Sequence, residues 1–137
     1  MRAISILFTI LLAFGSNFSQ KNQLGCYENI NADDFYLIMN QDDVVLIDAR
    51  VQKEFKKNRI PGAFNIIDKE SLIKFCSNVD NETNILIYSS DEITSKAVAQ
   101  ILCEELKYKN VFKLNNGIDA WVTRGYDLDI SKISKNK

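Results

Sequence analysis

Histidine is absent from this 137-residue chain, which removes the Ser-His-Asp triad, the Cys-His pair and the imidazole metal site together. Among the nucleophiles left are serines and three cysteines. Cys26, Cys76 and Cys103 stand far apart with no CxxC spacing, so neither a zinc site nor a thioredoxin-like dithiol is implied, and no metal or other cofactor is expected. Pairing any two in a disulfide leaves the third over, and the spacing does not choose the pair. A dense run of polar side chains is Ser89-Ser90-Asp91-Glu92-Ile93-Thr94, followed by Ser95 and Lys96. A serine in such a run needs a base to take its proton. Lys96 would serve only if strongly desolvated, and nothing in the sequence supports that. Asp91, just before a helical pattern, reads as an N-cap and not as a catalytic acid.

The elements around this run alternate between two periods. Val44-Val45-Leu46-Ile47 and Ile85-Leu86-Ile87-Tyr88 are continuous aliphatic runs, the pattern of strands covered on both faces. Further strands are expected at 64–67 and 111–114. A helix is expected from Asn31, with Asn31 or Asp33 as N-cap and Phe35, Ile38 and Met39 on one face. Short helices follow at 53–58, anchored by Phe55, and at 69–76, carrying Leu72, Ile73 and Phe75. Val98, Ile101, Leu102 and Leu106 share one face of a helix from about 94 to 107, and Asn116-Gly117 turns the chain into a last helix at 118–124, where Trp121 packs inward. Strands alternating with helices predict an α/β domain, a parallel sheet covered on both faces. Asp48 and Arg50 then sit at the carboxyl end of a strand, candidates for a pocket rim. A structural role is favoured, Arg50 pairing with Glu54 one helical turn away. Arg59 is expected to be a solvated charge before the Ile60-Pro61-Gly62 turn.

Composition sets the frame for these pieces. With 46% hydrophobic and 26% charged residues, the chain has the make-up of one ordinary domain with a real core; it is placed at residues 28–130, followed by a polar tail at 131–137. A net charge of -1 with scattered basic residues excludes the broad positive field that nucleic acid or an anionic membrane would attract. Residues 1–20 hold Arg2, an apolar run from Ile4 to Phe14, and a small, polar end, the order of a secretory signal. The run is too short to span a bilayer. Cleavage after Gly15 and after Ser19 both fit, no stable membrane span is expected afterwards, and the expected location is secreted or periplasmic. Lipidation at Cys26 is disfavoured, because Gln23 stands where an aliphatic residue is needed.

Asp48-Ala49-Arg50, Glu54-Phe55, the stretch from Arg59 through Pro61-Gly62-Ala63 to Ile66, the strand before Ser89, Ser95-Lys96-Ala97, and Asn116-Gly117 with Trp121 and Gly125 together resemble a rhodanese homology domain, in order and spacing, over about residues 31–128. The resemblance implies a parallel sheet of about five strands flanked by helices, with the functional loop at the carboxyl end of a central strand. It also implies a sulfurtransferase loop, in which a cysteine at the first position carries sulfur as a persulfide held by backbone N–H groups. Ser89 matches that cysteine. Glu92 and Thr94 match positions that commonly hold glycine and arginine, and Arg59 one that often holds histidine.

Several functional expectations follow from the resemblance. The loop 89–94 keeps the sulfurtransferase length but has no residue to assign a catalytic role; Asp48, Arg50, Arg59 and Ser95 are the pocket-rim candidates. Asp91 and Glu92 are expected to weaken anion binding, each by about 1 to 3 kcal/mol at an effective dielectric near 20. The leading expectation is a catalytically silent binding or regulatory module with a protein or small-molecule partner of unknown identity. The alternatives are a sulfurtransferase-type enzyme using a non-standard cysteine and a structural envelope domain.

Overall fold

The aliphatic runs form the centre of a five-stranded sheet. The computed structural model describes residues 25–131; the expected secretory segment at 1–20 and positions 132–137 of the polar tail lie outside them. Strands β1 (Glu28–Ile30), β2 (Val44–Asp48), β4 (Phe64–Asn65), β5 (Asn84–Tyr88) and β6 (Val111–Leu114) make the sheet, in the order β1-β6-β5-β2-β4. Every neighbouring pair in it is parallel. The central pair runs from Val44 opposite Asn84 to Asp48 opposite Tyr88, so both strands end at the same level. A separate antiparallel pair, β3 (Asn58–Arg59) with β7 (Asp129–Ile130), clips the last strand among the described residues to the middle of the domain.

Alternation along each strand sorts the core into two halves. On one face Ile47, Ile85, Ile87 and Val111 pack against Leu72 and Cys76 of α3 (Lys69–Cys76), Ala99 of α4 (Glu92–Gln100), and Leu102 and Cys103 in the π-helical turn (Ile101–Glu105) that continues α4. On the other, Leu46, Leu86, Tyr88 and Leu114 meet Phe35 of α1 (Ala32–Met39) and Ile118 and Trp121 of α5 (Gly117–Thr123). Helices therefore cover both faces, as the doubly buried strand pattern requires. Trp121 is buried edge-on against Phe35 and donates its indole N–H to the Asp127 carbonyl at 2.9 Å.

The capping residues do as their types dictate. Asn31 accepts from the Asp34 amide, Asp68 from Ser71 and Asp91 from Thr94, each leaving one fewer orphan N–H at a helix start. Helix α2 occupies Gln52–Lys57, so the turn after β2 is one residue shorter than the pattern suggested. The expected helix at 94–107 is instead α4 followed by the π-helical turn, ended by Lys107 at φ 61°. A disulfide joins Cys26, just before β1, to Cys103 in that turn, across 77 residues, and Cys76 is a buried free thiol.

Candidate active-site loop and its supports

The carboxyl ends of β2 and β5 meet over a buried polar knot. Arg50 sits in the bend after β2 and folds back on Asp48: its Nη2 lies 2.6 Å and its Nε 3.1 Å from Asp48 Oδ2, and Nε also donates to Oδ1. Tyr88, the last residue of β5, donates its hydroxyl to Asp48 Oδ2 at 2.6 Å and accepts from the Ile60 amide. Arg50 further donates to the Asn58 backbone and side-chain oxygens. Burial works against the Arg50 charge, but the hydrogen bonds and charge of Asp48 outweigh it and hold the guanidinium above its usual value. Burial first, then Asp48, pushes the Tyr88 hydroxyl far up, so it stays a donor. Arg50 lies two residues before α2 and shares no helix face with Glu54, and the expected Arg50–Glu54 pair is replaced by Arg50–Asp48.

The loop 89–94 springs from Tyr88 directly above this knot. Ser89 is buried, and its carbonyl accepts from the Ile118 amide at 3.0 Å. That close approach depends on Gly117: a Cβ there would stand 2.1 Å from the Ser89 carbonyl oxygen, and Gly117 also holds φ +56°. The loop fills itself with its own side chains. Asp91 Oδ1 takes the Thr94 amide at 2.7 Å and Oδ2 lies 3.4 Å from Ser89 Oγ. The Thr94 backbone bond leads the contacts that hold the Asp91 carboxyl below its usual range. Ser95 donates back to the Asp91 and Glu92 carbonyls from inside the helix start, while Ser90 donates outward to Glu54 Oε1 at 2.8 Å.

Glu92 turns away from the loop. Its Oε1 lies 2.6 Å from Nζ of Lys113, whose side chain is completely buried while that of Glu92 is 59% exposed. Lys113 shares a face with Val111 by strand alternation, which places it under α4 on the apolar side of the sheet. The contact has ion-pair distance without hydrogen-bond alignment; among the described residues, Lys113 Nζ is the buried side-chain polar atom left with no hydrogen-bond partner. Of the two carboxylates expected to oppose an anion, one is thus compensated by a cation from the next strand, a correction to the purely repulsive picture.

A cavity of about 230 Å³ opens beside Ser90, lined by Arg50, Glu54, Lys57, Asn58, Asp119 and apolar atoms of α5. Two cations and two carboxylates line it, so it carries no excess positive charge for a dianion. Of the four rim candidates, Arg50 reaches this cavity. Asp48 and Ser95 are interior supports. Arg59 lies elsewhere, half-buried over the Phe55 ring, donating to the Phe55 carbonyl and 4.0 Å from Asp129, so it is not the solvated charge expected from its neighbours. Tyr88, Asn58 and Lys113 were not among the candidates. Alternation in Val-Phe-Lys-Leu was the available signal for Lys113, since it puts the lysine on the same face as Val111.

A doubly covered parallel sheet with a tight loop at the end of its central strand, braced by a glycine from the following βα turn, defines an α/β domain of the ligand-at-strand-ends type. The family model for the rhodanese-like domain matches residues 31–124, and the chain belongs to that family. The thiosulfate sulfurtransferase GlpE of Shewanella oneidensis is 26% identical over 98 residues, covering 72% of this chain and 95% of that protein. GlpE of Coxiella burnetii is 26% identical over 106 residues, 77% and 97%. Among solved structures, a thiosulfate sulfurtransferase from Pseudomonas aeruginosa superposes with a TM-score of 0.68 at 20% identity, covering 77% of this chain and 21% of that one. A rhodanese-related protein from Thermoplasma volcanium gives 0.63 at 21% identity, 77% and 100%. Both support the fold.

Proposed function

We propose that this rhodanese-like domain does not transfer sulfur and works as a binding or regulatory module outside the cytoplasm. The observation that carries the proposal is Ser89. It stands where the family resemblance puts the sulfur-carrying cysteine, and a hydroxyl neither ionises near neutral pH nor forms a persulfide. The neighbouring groups favour the same reading: Asp91 takes the Thr94 amide, and the adjoining cavity has balanced charge. The cavity's mixed lining suits a polar partner group carrying both donors and acceptors.

Two observations support the extracytoplasmic part. The amino-terminal sequence has the order of a secretory signal, and the Cys26–Cys103 disulfide belongs to an oxidising compartment. Fractionation of expressing cells should find a shortened, disulfide-linked protein outside the cytoplasm. Full-length, reduced protein in the cytosol would contradict that placement.

The names of the GlpE relatives favour a second reading, sulfur transfer through another cysteine. The environments of the three thiols weigh against it. Cys26 and Cys103 are tied to each other, and burial pushes the Cys76 thiol up, against a smaller opposing effect of Tyr108, which disfavours the thiolate. The disulfide is also what an envelope scaffold would use. Purified protein assayed for thiosulfate:cyanide sulfurtransfer should give no turnover above background. Robust turnover, above all if it survives loss of all three cysteines, would overturn the proposal.

A further inference from the structure

A buried ammonium needs a counter-charge far more than an exposed carboxylate does, and Lys113 and Glu92 divide those needs unequally. Lys113 Nζ is shut off from solvent, and its one charged contact, Glu92 Oε1 at 2.6 Å, is not an aligned hydrogen bond, so at least two of its three donors have no partner. Glu92, at the first position of α4, keeps more than half of its side chain in solvent. Turning Glu92 outward restores full hydration to a carboxylate that is already more than half exposed, and leaves the ammonium in need of another anion. The ammonium cannot follow. It is held in the middle of β6, in register with Ile87 of β5 and Asn29 of β1, under α4.

We propose that Lys113 is the cation of an anion site that the protein closes with its own Glu92: when that side chain swings into solvent, a small tetrahedral oxyanion takes its place on the buried ammonium. The positive end of the α4 dipole adds to the attraction, whereas Asp91 remains on the loop amides and is not displaced. Tyr27 lies in the segment tied down by the Cys26–Cys103 disulfide, and burial, then the charges of Glu92 and Glu104, push its hydroxyl up. The cation comes from the neighbouring strand, not from the loop, and the inference is independent of whether the loop carries sulfur. Failure of one test leaves the other standing.

The test is a titration with inorganic sulfate at constant ionic strength, followed by backbone amide shifts, on the wild-type protein, E92Q, K113M and the double variant. E92Q should bind sulfate about tenfold or more tightly than wild type, because the tethered competitor is gone. The gain should vanish in the K113M background. No gain in E92Q overturns the proposal, and so does an equal gain with Lys113 absent, which would assign the effect to the loop. Should K113M not fold, the ¹⁵Nζ resonance of Lys113 in E92Q decides: it moves with sulfate if the proposal holds, and stays fixed while sulfate binds if it does not.

Discussion

Two ion pairs lie within a few residues of the same loop, and they are built on opposite terms. Asp48 and Arg50 are both buried and joined by several hydrogen bonds, Tyr88 donates to the carboxylate, and Asn58 accepts twice from the guanidinium. Glu92 and Lys113 share one contact without an aligned hydrogen bond, and only the lysine is buried. A closed network like the first fixes where β2 and β5 end. The second leaves a charge whose partner is free to change. Which partner is removed therefore matters more than how short the contact is.

The largest effect is expected at the closed pair. Arg50→Met strands the Asp48 carboxylate in the interior and should lower unfolding stability by about 3 to 5 kcal/mol in urea melts; a loss under about 1 kcal/mol would mean that the knot is not a structural brace. Next comes Gly117→Ala, whose new methyl group meets the Ser89 carbonyl oxygen, a backbone atom that cannot rotate away. A loss of about 2 to 4 kcal/mol is expected, with amide shifts concentrated at 89–95. A mutant that keeps both stability and those shifts would show that the loop is not seated on that turn.

At the open pair the two truncations should differ in sign and size. Glu92→Gln leaves a buried ammonium uncompensated and should cost about 1 to 3 kcal/mol, partly recovered in sulfate. Lys113→Met only returns a half-exposed carboxylate to water, so its stability should stay within about 1 kcal/mol of wild type or exceed it. Equal losses from both would erase the distinction. The smallest effect is electrostatic. Asp91 titrates below its usual range when folded, so its contribution is present above the unfolded pKa and is lost as pH falls through the lower, folded value. Asp91→Asn should flatten the acid limb of the stability curve while leaving neutral pH slopes unchanged. An unaltered acid limb would remove Asp91 from the loop's bonding.

Periodicity made the framework legible because β2 and β5 are covered on both faces and read as nearly continuous apolar runs, a pattern that β6 keeps except at Lys113. Helix α3 and strand β6 fall at the bounds read from pattern. Glu28–Ile30 carried no signal: as an edge strand with two polar residues its pairing rests on β6, not on its own side chains. The two-residue strands β3 and β7 are too short for alternation, and only their mutual pairing defines them. The site was legible as a loop but not as a set of contacts. Asp91 as N-cap follows from local chemistry. The Arg50–Asp48 fold-back is made at the bend after β2, which residue type does not signal, and the Glu92–Lys113 contact joins residues from two separate elements, which one-dimensional spacing cannot bring together. The Cys26–Cys103 link is of that kind too.

Whether sulfur ever resides on this protein is read most directly by intact mass after incubation with thiosulfate and removal of excess donor. The account predicts an unchanged mass, with Cys26 and Cys103 still joined. A stable gain of one sulfur atom that maps to a single cysteine and is released as thiocyanate on adding cyanide would contradict it.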